Sequence, residues 1–395
     1  MYKITLFILI FASSYVFSQN LEFTVIVKDI DTGLPIDEVT ITSLKSNQGF
    51  LTNINGEAFI KLTQSSDLLF EHSMYTKYVV KFVDLDQQIN EVYLESNAKQ
   101  LDEIILTSRH PQKILIDLVN NSLEKMTIPI NLKVYLREFY KKNNQIVFFN
   151  DGLINFQILG NSKNIKSDIL VEQNRAIGLF DGDIDAELLG YNLNHIIESY
   201  CQFKYINEIL VPSAKKKYDF NVKSYPGNED FLIIKANPID EAKDVFSNFT
   251  IVYDKNKMII MEVSSFVPIS RLENLRQSFL GSSKIFKLEF KNTFRFEDGI
   301  YYLANSKEVI TFEKKYKKSK HRIEVNNHMV VTNFDKKLFQ YNDKNVFKDK
   351  SLINKSTYYY TNYWDVASGF ISTEEEKKII EQLSKTDESN QDKTD

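Results

Sequence analysis

The residues with chemistry suited to catalysis or metal binding are few and scattered. His195-Ile196-Ile197-Glu198 has the His-x-x-Glu spacing of half a zinc hydrolase site, with His321 or His328 as a distant third ligand. Such a site needs all three ligands to converge and leave one position open for water. The stretch around His195 is helix-like, whereas zinc carboxypeptidases are built on alternating helices and strands, so a zinc metallohydrolase stays a remote alternative. Asp181-Gly182-Asp183-Ile184-Asp185 offers oxygens of the kind calcium takes, but it lacks the full EF-hand loop and its terminal Glu. A solvated acidic loop is expected there, and turns at Asp29 and Asp31. Cys201 is the single cysteine, which excludes an intrachain disulfide; it is expected to be a buried small hydrophobe rather than a nucleophile. There is no Gly-rich phosphate loop, no Gly-x-Ser-x-Gly and no Cys-x-x-Cys. No catalytic, cofactor-binding or metal-binding residue is therefore assigned, and no cofactor is expected.

Two surface features suit ligands instead. Lys314-Lys315-Tyr316-Lys317-Lys318-Ser319-Lys320 could meet anionic lipid headgroups or acidic glycans. A charged hairpin tip is the simpler expectation. The aromatics from Tyr358 to Trp364 could stack on sugar rings, with burial against a sheet as the simpler expectation.

The elements that would position these residues begin with a cleavage pattern. Lys3 precedes an apolar run, and Val16-Phe17-Ser18 offers tolerated residues before a cut near Ser18/Gln19, so residues 1–18 are expected to be a secretory signal. No cysteine follows the run, and no other apolar run reaches membrane-spanning length, so the mature chain is expected to carry no transmembrane span. The net charge of −4 becomes about −5 without the leader, which gives no basic field for nucleic acid. An apolar content of 43% with 26% charged residues is that of ordinary globular protein, and 395 residues allow two or three domains.

Residues 19–108 read as a β-sandwich. Phe23, Val25 and Val27 alternate on one face of a first strand, and Asp31-Thr32-Gly33-Leu34-Pro35 turns the chain. Asn47-Gln48-Gly49 and Asn55-Gly56 are further turn signals, and strands are expected at 57–62, 67–71, 77–82, 91–94 and 102–107. The ordered set Val27-Lys28-Asp29, Thr32-Gly33-Leu34-Pro35-Ile36, Asn55-Gly56-Glu57-Ala58-Phe59 and Leu101-Asp102-Glu103-Ile104 resembles the carboxypeptidase-regulatory-like domain of exported Bacteroidetes proteins. That resemblance implies a transthyretin-like, non-catalytic sandwich. Val25 and Met74 stand where that family often has glycine.

Residues 109–383 read as an α+β domain on an antiparallel sheet. Arg109-His110-Pro111 marks the boundary, and Ile114, Leu115, Leu118, Val119 and Leu123 give one side of a helix. Hairpins are expected over 132–156, 218–235, 249–263 and 284–312, with another strand at 322–331. The helix and Leu136-Arg137-Glu138-Phe139-Tyr140 resemble a family of uncharacterised Bacteroidetes envelope proteins, whose outer-membrane barrel this chain is too short to contain. Ile251–Ile260 is similar to the hairpins of lipoprotein-carrier half-barrels, which implies an acyl-chain site between sheet and helices. Ser372-Thr373-Glu374-Glu375-Glu376 starts a last helix, with Ile379, Ile380 and Leu383 on its apolar side. Residues 384–395 hold no apolar side chain and are expected to be disordered.

The fold class expected is thus mainly β, α+β, with an N-terminal β-sandwich followed by a curved antiparallel sheet and a few helices. The function expected is non-enzymatic binding or assembly in the cell envelope, in the periplasm or associated with the outer membrane. Its partner would be an envelope protein or a lipid or glycan ligand. The alternative is a carrier of a hydrophobic ligand in a half-barrel, which requires an apolar cavity lined by inward residues of 249–263 and 284–312.

Overall fold

The computed structural model describes residues 21–72, 74–86, 88–96, 103–178, 193, 196–226, 228–272, 284–316, 319–349, 351–352 and 373–391. Residues 1–20, Asp181–Asp185, His195, Tyr358–Trp364 and Lys317-Lys318 lie outside them.

The first unit is a sandwich of two small sheets. One has the order β4 (Glu57–Leu62), β1 (Leu21–Asp29), β7 (Ile89–Leu94), and the other β3 (Gly49–Leu51), β2 (Thr40–Ser43), β5 (Leu68–His72), β6 (Tyr75–Val80). The alternation in β1 buries Phe23, Val25 and Val27 as expected, and they meet Ile41, Phe70 and Val92 in one core. Both turn signals hold. The Asp29 carboxylate accepts from the Thr32 and Asp31 amides at 2.8 and 2.9 Å. At the second turn Gly56 has φ +72°, and a Cβ there would lie 2.4 Å from the Val27 carbonyl. The stretch expected as a last sandwich strand, 102–107, behaves differently. The Ile105 amide bonds to the Val222 carbonyl and the Ser224 amide to that of Glu103, so this segment lies along the edge of the second sheet.

Helix α1 (Pro111–Lys125) starts where the breaker predicts. His110 caps it by accepting from the Gln112 amide, and Leu115, Leu118 and Val119 are buried. Then comes one ten-stranded sheet, all antiparallel, in the order β10 (Asn164–Gly178), β9 (Gln145–Asn161), β8 (Ile130–Lys142), β17 (Ser319–Asp335), β16 (Ile300–Tyr316), β15 (Lys284–Glu297), β14 (Ile259–Phe266), β13 (Asn248–Asp254), β12 (Phe231–Pro238), β11 (Tyr218–Ser224). The hairpins fall where their turn residues place them. Strand β10 was not foreseen, although Asn161 Oδ1 fastens its turn by accepting from Lys163 and Asn164. Nor was the β8–β17 pairing that joins the early and late strands.

The two faces of this sheet do different jobs. The concave face packs on α1 and on the short helical turns between 196 and 216. The Gln112 amide donates to the Ile209 and Val211 carbonyls, and Ser122 Oγ accepts from the Ile260 amide at 2.9 Å. The convex face carries the sandwich and helix α2 (Glu374–Gln391). Helix α2 begins with the expected capping box: the Thr373 amide donates to Glu376 at 2.8 Å, and the Glu376 amide to Thr373 Oγ1 at 3.1 Å. It continues to Gln391, past residue 384 where disorder was expected.

Candidate functional site

Strand register lays out the concave face row by row, because opposed residues of an antiparallel pair share a face. One row runs Phe148, Tyr140, Val325, Ile310, Leu288 across β9, β8, β17, β16 and β15. The next runs Asn150, Glu138, Asn327, Glu308, Phe290, and the one after Gly152, Leu136, Met329, Ser306, Asn292. The middle row is polar at four of its five places. It separates the large core around α1 from a second apolar cluster of Tyr140, Phe148, Val267, Ile285, Phe312 and Val325.

The two ends of the face are filled unequally. Toward α1, Phe249, Ile251, Ile260, Val263 and Phe294 are all buried, and Leu352 covers Gly152. This part of the expected cavity wall is packed core. Around the polar row, Leu288, Phe290, Glu308 and Ile310 remain half-buried, although they sit on the inner strands of a ten-stranded sheet. Part of their apolar surface therefore stays accessible at mid-sheet.

The polar row is acceptor-rich. Asn150 Nδ2 donates to the buried Glu138 carboxylate at 2.6 Å. The Asn327 amide is likewise spent on Glu308. Asn150 Oδ1 and Asn327 Oδ1 then have no hydrogen-bond partner, although the two residues are 0% and 6% exposed. An orphaned buried acceptor costs about 1–3 kcal/mol, so two of them on one row call for a donor. Burial pushes Glu308 up to about 7, only partly opposed by the Asn327 hydrogen bond.

The convex face holds a seam of paired charges. Glu38, in a left-handed conformation with φ 57°, reaches Lys307 and lies 3.7 Å from Lys291, which also meets Glu262 at 3.4 Å. Burial raises the Glu38 carboxyl, but the two lysines outweigh it and hold it at about 2. Arg295 donates to Thr42 Oγ1 at 2.5 Å and faces Glu297 and Glu71 at 3.3 and 3.8 Å. Two clefts flank this seam. One, about 260 Å³, is lined by Glu71, His72, Tyr75, Tyr225 and Phe231. The other, about 740 Å³, lies between Ile54 of the sandwich, Arg137, Phe139 and His328 of the sheet, and Glu376 and Ile379 of α2. Both clefts are lined by charged side chains of both signs.

The residues singled out from sequence are not brought together. Glu198 is exposed on the turn Ile196–Tyr200. His321 and His328 lie seven apart on β17. An odd separation puts them on opposite faces of a strand, so they cannot share an ion. His321 faces Asn143, and His328 bonds Asn305 at 3.1 Å. Among the described residues no group of three His, Cys, Asp or Glu side chains is placed to hold a metal. Cys201 is 1% exposed and burial pushes its thiol up to about 12, as expected of a core residue. Lys320 pairs with Glu313 at 3.0 Å on the β16–β17 hairpin. What sequence reading missed is the polar row. Its one available signal was parity: Leu136, Glu138 and Tyr140 alternate with Arg137 and Phe139, which fixes Glu138 to the face of its apolar neighbours. Among the described residues, no helix is long and apolar enough to cross a membrane.

No protein-family model and no curated protein matches this chain. Among solved structures it is similar to a DUF1329 family protein from Desulfovibrio piger at 10% identity, over 56% of this chain and 94% of that one, with a TM-score of 0.27. It is similar to a LolA superfamily protein from Nitrosomonas europaea at 11% identity, over 61% and 99%, with a TM-score of 0.22. It is similar to MucB in complex with MucA at 9% identity, over 56% and 94%, with a TM-score of 0.20. With scores this low, the function has to be read from this chain's own geometry.

Proposed function

We propose that this chain is a non-enzymatic binding protein of the cell envelope, exported to the periplasm by its first 18 residues, and that it holds a hydrophobic, lipid-like ligand on the open end of its concave sheet. The observation that carries the reading is the accessible surface left on Leu288, Phe290 and Ile310 at mid-sheet, beside an otherwise closed core. An apolar chain laid there would bury that surface and gain about 25 cal/mol per Å² of it. The sandwich, which resembles a regulatory-like domain, would brace the convex side through the Glu38 and Arg295 contacts and leave the concave side to the ligand.

Native mass spectrometry of the mature chain with monolaurin tests the reading. One bound molecule is expected, and Ile310→Asp should abolish it while the melting curve stays cooperative. A chain that binds no amphiphile, or whose binding ignores that substitution, is not the carrier described. The 740 Å³ cleft favours a second reading, a polar partner held between sandwich, sheet and α2. That reading predicts loss of binding on altering Phe139 or Ile379 instead.

A further inference from the structure

The geometry points to a selective headgroup site: the row Asn150–Glu138–Asn327–Glu308 recognises an amphiphile whose head donates hydrogen bonds and carries no negative charge, an ammonium or a cluster of hydroxyls. This rests on the hydrophobic-ligand reading above and adds the chemistry of the ligand's polar end.

Three features of the row carry it. First, its position: it crosses four neighbouring strands on one face, with the half-buried Ile310 and Leu288 on one side and Phe290 at its end. A head seated on the row leaves the chain against these apolar groups. Second, its hydrogen-bond sense: the amide donor of Asn150 goes to Glu138 and that of Asn327 to Glu308, which leaves the amide oxygens of Asn150 and Asn327 buried without a donor. With Glu308 ionised, a row so rich in acceptors holds a phosphate or a carboxylate poorly, because like partial charges then meet in a poorly hydrated place. Third, its charge: the row's two ionisable groups are both acids, while the cations Arg137 and Lys307 stand one residue away in β8 and β16 and so project from the opposite face. Arg137 meets Glu376 there, and Lys307 meets Glu38.

Neighbouring groups extend the polar patch without changing its sense. Asn292 and Ser306 occupy the next row, both buried, and Tyr205 packs edge-on against Phe290 with ring centroids 5.0 Å apart. The Tyr205 hydroxyl and the Asn292 amide are buried and face each other. They can serve hydroxyl-bearing heads, which both donate and accept.

The test compares three amphiphiles with the same twelve-carbon chain length, dodecylamine, monolaurin and laurate, by calorimetric titration of the mature chain below their micelle-forming concentrations. Dodecylamine or monolaurin should bind more tightly than laurate by roughly tenfold or more, the effect of one charge-assisted hydrogen bond. Glu308→Gln, which keeps the side-chain shape, should shrink that ratio, and Asn327→Leu should shrink it further. If Asn327→Leu does not fold, Glu308→Gln decides. Laurate binding as tightly as the others, or a ratio unmoved by Glu308→Gln, overturns the headgroup site and leaves the hydrophobic-ligand reading standing. Failure of all three to bind removes that reading, and the headgroup site with it.

Discussion

Glu138 and Glu308 stand two strands apart on one rung of the curved sheet, with Asn327 between them on β17. At the usual strand spacing their backbones are about 10 Å apart. Two acids on the inner face of a sheet do not stabilise the fold. They depart from an apolar core, and such departures mark function more often than stability.

Glu308 should make the protein less stable as pH rises from 4.5 to 7. Its folded pKa, raised by burial to about 7, lies above the ordinary 4.5. The unfolded chain therefore releases this proton first. The group's contribution is full below pH 4.5 and is lost as pH rises to 7. Glu308→Gln should raise the melting temperature at pH 8, by no more than about 3 kcal/mol of stability, and leave it little changed at pH 4. Equal effects at both pH values would show that burial does not control this carboxyl.

The seam should open in acid. Lys291 and Lys307 hold Glu38 at about 2, so the stabilisation it gives is complete above 4.5 and disappears as pH falls toward 2. His72 and His328 add to this. Burial holds them at about 4 and about 3, helped by Lys291 for His72 and by Arg137 and Lys307 for His328. The unfolded histidines take up protons from 6.5 downward while the folded ones resist. Glu38→Gln should cost about 1–3 kcal/mol at pH 7, discounted because Lys307 is partly exposed, and should flatten the acid limb of the melting curve.

Helix α2 is held by one acid with two tasks. Glu376 accepts from the Thr373 amide and pairs with Arg137 at 3.1 Å. Thr373→Ala removes only the cap and should cost about 1 kcal/mol. Glu376→Ala should cost more and release the helix, seen as fast amide exchange over 377–385. Equal exchange in the two variants would mean that Arg137 does not anchor the helix.

Cys201 should resist alkylation in the folded protein and react on denaturation, since its thiol is buried and raised to about 12. Rapid labelling of the native chain would contradict the packing around Ile197 and Phe203.

Much of this architecture is legible in the amino acids. Asn55-Gly56 and Asp298-Gly299 announce their turns because few residues tolerate the positive φ of Gly56, Asp298 and Gly299, and Thr373 with Glu376 announces a helix start. What stays hidden is long-range. The β8–β17 pairing joins Glu138 to Asn327 across most of the domain, and no local signal encodes which strands become neighbours. Glu138 also sits among charged residues that suggest solvent. The segment at 103–105 has strand character, and only the free edge of β11 decides where it pairs.

The central claim is tested most directly by methyl NMR during a monolaurin titration. The account predicts shifts at the Leu288 and Ile310 methyls, with those of Ile41 in the sandwich unmoved. Shifts confined to Met261 or Ile379, which line the convex-side clefts, would place the ligand on the wrong face and contradict it.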